Sequence, residues 1–324
     1  MRDADADLAE LEAAPRLNHG LYTAEPHEYF SHRLFFLMLA ADRTIDLAQF
    51  VRGGLEVDKV KLGPNPEATE DKESKQQRYR FVLAESLTLL HHVAETLLRL
   101  YFAHAGTPPA PWLALARDRS PEKFKAKVRR RFTDNNHLTE EDREVIATVF
   151  HGSSDLTSID PPPPPERVAA GITNIDRWLR YFAREFLDYA PLYNATKHGL
   201  AIQPENAELT FSEADADEAF LTMVGPTILY LEQREHEGRK KWSETTRWFS
   251  LEETLLASQI GIKMIEGLWD VARARYVGAN VDRLWILDEP AYDDFAKMPR
   301  KGDRGNLKAN LPYYAGEAKS GNEK

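Results

Sequence analysis

Within seven residues, Tyr193-Asn194-Ala195-Thr196-Lys197-His198-Gly199, the chain gathers a phenol, a carboxamide, an amine and an imidazole. On a helix, residues four apart share a face, so Asn194 falls with His198 and Tyr193 with Lys197. Gly199 supplies the left-handed residue that commonly ends a helix. A histidine at a helix C-terminus is favoured in its charged form by the macrodipole, and a neighbouring carboxylate adds to that. An imidazole held near neutrality suits general acid/base work, and Asn194 could hold an oxygen beside it. The same residues admit a structural reading: Lys197 and His198 cap the helix, and Asn194 satisfies a buried backbone group.

Two long helices must position this segment. Over 75–104, Leu83, Leu87, Leu90, Ala94, Leu97 and Tyr101 recur at steps of three and four, which predicts a buried stripe. Glu85, His92 and Arg99 recur every seven residues along its polar side, with Glu95 beside His92. From Glu166 to Ala190, Ile172, Ile175, Leu179, Phe182 and Phe186 mark a second apolar face, and Pro191 forces a kink or restart. Antiparallel packing of the two stripes could bring a carboxylate to face His198.

A long helix carrying Glu85, His91, His92 and Glu95, followed by a helix ending in Tyr193-Asn194-Ala195-Thr196-Lys197-His198-Gly199, resembles the HEPN-type helical bundles over about residues 75–200. The family motif has Arg, often followed by Asn or Asp, and then His after four to six residues. Asn194 and His198 match; Tyr193 stands where the Arg would be. The resemblance implies a metal-independent ribonuclease or an RNA-binding relative, commonly a homodimer with two motifs lining one cleft, in defence or toxin systems. It assigns His198 as general acid/base, Asn194 and Lys197 as phosphate or ribose contacts, and His92, Glu95 and Tyr193 as supporting groups. Neither metal nor cofactor is expected, because the RNA 2′-hydroxyl can be the nucleophile.

Positive charge is concentrated elsewhere. Arg117–Arg131 holds eight Lys/Arg against Asp118 and Glu122, within a chain of net charge −10. Ser120-Pro121 predicts the N-cap and first position of a helix. Phe124, Val128 and Phe132 would face the core, leaving Lys123, Lys125, Lys127, Arg129, Arg130 and Arg131 to water. Such a strip could track RNA phosphates, with Lys123, Lys127, Arg130 and Arg131 as contacts; a solvated face is the competing reading.

The expected fold is mainly α: a helical bundle with a small antiparallel β-hairpin near 227–249. The alternating Trp242, Thr246 and Trp248 suggest the hairpin, and the competing reading is a kinked helix over 214–236 broken at Gly225-Pro226. Further helices are expected over 27–50, from Thr139 to His151-Gly152, and over 251–276. Residues 1–24 read as a polar lead-in, 25–278 as one domain, and 279–324 as largely irregular, with poor order beyond about Gly305. The run Pro161–Pro165 favours a polyproline II connector, or a docking segment for a protein partner.

Several chemistries are excluded. The absence of cysteine removes disulfides, thiolate zinc sites and a cysteine nucleophile. His27 and His32 lie five apart, off one helical face, so they form no zinc-protease motif. No Gly-rich phosphate loop, G-x-S-x-G elbow or Glu-x-x-His pair is present. The longest apolar run, Leu34–Ala41, is eight residues, short for a bilayer span, and the acidic N-terminus lacks a secretory h-region. A cytoplasmic protein is expected. Two functional classes remain: a HEPN-like protein acting on or binding RNA, and a non-enzymatic interaction module or scaffold with a structural Asn-x-x-x-His motif.

Overall fold

The computed structural model describes residues 2–42, 44–67, 69, 71–134, 137–156, 162–197, 201–212, 219–236, 239–279, 286–287, 292–297 and 305–314. The elements are α1 (Arg2–Tyr22), α2 (Pro26–Ala41), α3 (Ala48–Gly53), β1 (Leu55–Val57), β2 (Val60–Leu62), α4 (Lys72–His104), α5 (Pro111–Arg117), α6 (Pro121–Phe132), α7 (Glu140–Phe150), α8 (Pro165–Asp188), α9 (Ala190–Lys197), β3 (Ile202–Ser212), β4 (Ala219–His236), β5 (Arg239–Trp248), α10 (Leu251–Val277), α11 (Tyr292–Lys297) and β6 (Gly305–Tyr314). The protein is mainly α with small antiparallel β elements, as expected. In place of one domain over 25–278, the chain forms two interleaved compact units. The first comprises 1–32, 90–190 and 257–299, and the second 33–89, 191–256 and 300–324.

In the first unit, α4 and α8 carry the stripes read from the sequence. Leu90, Ala94, Leu97 and Tyr101 are buried on α4, as are Ile172, Ile175, Leu179, Phe182 and Phe186 on α8. The His91 ring lies 5.3 Å from that of Phe186. Ten residues further along α4, Tyr101 is close enough to Asp176, ten residues earlier on α8, to feel its charge: burial, then Asp142 and Asp176, push the phenol pKa up. These two anchor points make the helices antiparallel. Gly261 of α10 approaches both, since a Cβ there would stand 2.5 Å from Val93 and 2.9 Å from Phe182.

The caps form as their residue types require. Ser120 accepts from the Lys123 amide and Pro121 opens α6, while Thr139 and Asp142 make a reciprocal capping box on α7. Pro165 is the first residue of α8, so the proline run ends inside a helix. Pro162–Pro165, with Leu156, Val168 and Ile172, line a groove of about 790 Å³; Pro161 lies outside the described residues.

Three expectations are corrected. Residues 1–24 are not a passive lead-in: α1 buries Ala14, Asn18 and Tyr22, four apart on one face. The Asn18 amide donates to the Pro109 carbonyl at 2.8 Å. The span 27–50 is two helices, α2 and α3, with an Asp42-Thr44 turn after the first, where the Asp42 carboxylate accepts from the Thr44 amide and hydroxyl. The tail is not irregular throughout, for β6 pairs antiparallel with β5 from Trp248↔Gly305 to Lys241↔Tyr314.

That pairing completes the sheet of the second unit, ordered β3-β4-β5-β6 and antiparallel throughout. The expected hairpin is β4–β5, in register from Thr227↔Trp248 to His236↔Arg239. Gly225-Pro226 lies within β4, which sets aside the kinked helix. The buried residues of β5 include Ser243 and Thr245 as well as Trp248. The Thr245 hydroxyl donates to buried Glu232 at 3.1 Å, on the face of the strand opposite Trp242 and Trp248. The short hairpin β1–β2 had no counterpart in the sequence reading; it turns at Asp58, which adopts φ +53°.

α4 is long and apolar enough to cross a membrane by length and composition, but 61% of its most apolar window is buried within the fold.

Candidate functional site

The chain restarts at Ala190 into α9, as Pro191 requires. Leu192 anchors the short helix by burial, and the Thr196 hydroxyl donates to the Leu192 carbonyl at 3.0 Å. Asn194 and Lys197 are exposed, while Tyr193 is half-buried. Lys197 Nζ lies 5.9 Å from the centre of the Tyr193 ring, the pairing that a four-residue spacing predicts. Asn194 therefore faces solvent, not a buried backbone group. His198 and Gly199 lie outside the described residues.

The supporting residues of α4 belong to the first unit, whereas α9 belongs to the second. His91 is buried, and burial, followed by the charges of His92 and Lys125, pushes its pKa down to about 3. It is a neutral core histidine. His92 is half-buried. The Glu95 carboxylate is engaged by Arg99 on the next turn, with Nε at 2.8 Å. Arg99 also donates to the Asp118 carbonyl at 2.8 Å and lies over the Phe124 ring at 4.2 Å. Glu95 is thus an anchor for Arg99 along its own helix.

The basic helix α6 divides into two faces. Phe124, Val128 and Phe132 are buried, as the spacing requires. Lys123, Arg129 and Arg130 are exposed. Lys127 lies with Nζ 4.4 Å from the centre of the Phe102 ring. Arg131 departs from the expectation. It is largely sheltered, 3.0 Å from Asp142 and 3.8 Å from Asp176, and Asp176 is held in turn by Arg180 at 2.6 Å. Arg131 links α6, α7 and α8, its guanidinium set against carboxylates and largely sheltered from solvent.

Between α4, α5 and α6 lies a cleft of about 350 Å³, lined by Arg99, Arg117, Lys123 and Lys127 around Phe102, with Asp118 the one acidic residue in its lining. Arg117 is paired to Glu10 of α1 at 2.6 Å. Lys123 and Lys127 were singled out in the sequence as phosphate contacts. Arg117 belonged to the basic run and Arg99 to the polar stripe of α4, but only the packing of three helices joins all four.

Among the described residues no cluster of His, Asp and Glu could hold a metal ion. Compared with protein-family models, with curated proteins and with solved structures, the chain matches none.

Proposed function

We propose that this is a HEPN-like helical protein that binds RNA, with the α4–α5–α6 cleft as its phosphate-tracking surface. The observation that carries the reading is the convergence of Arg99, Arg117, Lys123 and Lys127 on one cleft beside an aromatic ring, in a chain of net charge −10. An acidic protein repels a polyanion over most of its surface, so a local cationic cleft governs where RNA docks. Phe102 and the aliphatic stems of the lysines add an apolar wall. Arg130, exposed on the same helix, extends the strip.

A second reading adds cleavage, supported by the exposure of Asn194 and Lys197 on α9. In it His198 moves the proton of the RNA 2′-hydroxyl, Asn194 holds a phosphate or ribose oxygen, and Lys197 supplies positive charge. Tyr193 replaces the motif's Arg, so binding without cleavage is the reading favoured here. The homodimer that the resemblance implies would find apolar surface on α2, where Phe35 and Phe36 are 60% and 62% exposed. The groove lined by Pro162–Pro165 supports the competing class, an interaction module for a protein partner.

The test is fluorescence anisotropy of a labelled single-stranded RNA, with cleavage followed on a gel in EDTA. Binding lost with Lys123→Glu, without cleavage, supports the first reading; cleavage abolished by His198→Ala supports the second. A wild-type chain that neither binds nor cleaves RNA at low salt sinks both and leaves the interaction module.

A further inference from the structure

The second unit carries another cationic cleft, separate in residues and in unit from the one proposed above. About 460 Å³ of space opens beside the first two turns of α4, lined by Lys72, Lys75, Arg78 and Tyr79, with Ala41 of α2 and Asn206 of β3. We infer that this cleft binds a nucleotide, with its phosphate on Lys72, Lys75 and Arg78 and its base against Tyr79 within reach of the Asn206 side-chain amide.

The charge is the first part of the argument. Lys72, Lys75 and Arg78 follow one another at three-residue steps, so like charges stand on neighbouring turns and repel. They also stand where the helix macrodipole disfavours cations. No residue lining the cleft is acidic. Asp42 and Asp46 feel the charges of Arg78 and Lys75 but lie outside that lining, where they accept from the Thr44 hydroxyl at 2.7 Å and from Arg52 at 2.6 Å. Such a trio is stabilised by a bound anion.

The shape and chemistry of the remaining walls narrow the anion. The volume lies in the range of small-molecule sites. Arg78 is fixed from behind, since its guanidinium donates to the Ile45 carbonyl at 2.8 Å. The Tyr79 hydroxyl donates to the Asn206 side-chain oxygen at 3.4 Å, which ties the phenol to the amide at the edge of β3. A half-buried aromatic ring beside a small apolar side chain, Ala41, offers a flat base a stacking surface. The Asn206 amide can donate to and accept from a base edge. Inorganic phosphate would use the cations alone and leave that wall unused.

The nucleotide could be free or part of an RNA strand. The full-length protein would be titrated with the four common nucleoside 5′-monophosphates, the matching nucleosides, inorganic phosphate and a tetra-adenylate, by calorimetry at low salt. We expect at least one monophosphate to bind tenfold or more tighter than its nucleoside or phosphate. Lys75→Glu should weaken it at least tenfold, and Tyr79→Ala at least threefold, with circular dichroism unchanged. Lys123→Glu, in the other cleft, should leave it unaltered. Tetra-adenylate binding more tightly than adenosine monophosphate through Lys75 identifies an RNA strand as the source, and equal affinity a free nucleotide. The inference is overturned if neither the monophosphates nor tetra-adenylate bind at millimolar concentration. It is equally overturned if inorganic phosphate binds as well as every monophosphate, or if binding responds to Lys123→Glu but to neither Lys75→Glu nor Tyr79→Ala. Loss of RNA binding at Lys123 with nucleotide binding intact separates the two sites.

Discussion

Lys127 Nζ lies 4.4 Å from the centre of the Phe102 ring, so a cation of α6 is held against an aromatic face of α4. The contact orients the ammonium within the cleft that it shares with Arg99, Arg117 and Lys123. A lysine placed in this way is partly preorganised and loses less freedom on meeting a phosphate.

RNA affinity should therefore fall steeply when this cleft loses charge. Lys123→Glu and Lys127→Glu are each expected to weaken single-stranded RNA binding by roughly tenfold, equivalent to about 1.4 kcal/mol. With three or four phosphates engaged, log K should fall against log salt with a slope of roughly −2 to −3. Anisotropy at three salt concentrations measures both. A charge-reversed variant that keeps the wild-type slope would remove the cleft from the interface.

Arg131 should behave in the opposite way, because its charge is spent inside the protein. Arg131→Ala removes the cation that Asp142 and Asp176 share, while Asp176 keeps Arg180. A loss of about 3 kcal/mol in urea unfolding is expected, with RNA affinity of the folded protein unchanged. If stability is unaltered and affinity falls, Arg131 is a ligand contact after all.

The contrast between Lys123 and Arg131 shows what was legible in the sequence. The three-and-four spacing of Phe124, Val128 and Phe132 told which side of α6 is buried, and Ser120-Pro121 where it begins. It could not tell that Asp176 would neutralise one of the basic residues, because that carboxylate arrives from another helix. The stripes of α4 and α8 and the β4–β5 alternation were readable for the same local reason. Strand β6 was not: it alternates Asn306, Lys308 and Asn310, so its strand character comes from pairing to β5. The Asn194–Lys197 face was readable as a helical spacing, whereas the engagement of Glu95 by Arg99 depended on a choice between partners.

Gly261 marks where α10 comes close to α4 and α8. Gly261→Ala would push a methyl to 2.5 Å from Val93 and 2.9 Å from Phe182. Overpacking of this kind costs about 1–3 kcal/mol, despite the better helix propensity of alanine. Thermal unfolding should show a lower melting temperature. A variant more stable than wild type would mean that the helices separate without cost.

The pairing of β6 with β5 predicts that the tail contributes to the sheet. Deleting residues 305–324 would bare the β5 edge from Lys241 to Trp248. An unpaired edge of that length invites association with other chains. The truncated protein should melt at a lower temperature and scatter more light at the same concentration. In the full-length chain, the amides of β6 that pair with β5 should be slow to exchange with deuterium. Rapid exchange there, or a truncation that is neutral in both assays, would show that β6 adds nothing.

Three buried histidines set the acid limit of the fold. Burial is the leading cause in each case, holding His91 at about 3 and His104 and His151 at about 4, against an ordinary value of 6.5. For His104, the Leu100 carbonyl opposes that shift by accepting from Nδ1 at 2.6 Å, while the Arg275 charge adds to it; the Tyr22 hydroxyl lies 2.7 Å from Nε2. All three are neutral in the native state at pH 6.5, whereas in the unfolded chain each takes up a proton as pH falls through 6.5. The unfolded state then binds more protons, so stability is fully present above 6.5 and declines as pH drops toward 4. Between pH 6.5 and 5.5 each histidine should cost about 1 kcal/mol. Urea midpoints measured across that range should fall steeply, and His151→Phe should flatten the slope by about one proton's worth, whatever it does to absolute stability. A pH profile that is flat down to 5, or one that His151→Phe leaves unchanged, would show that these rings titrate normally.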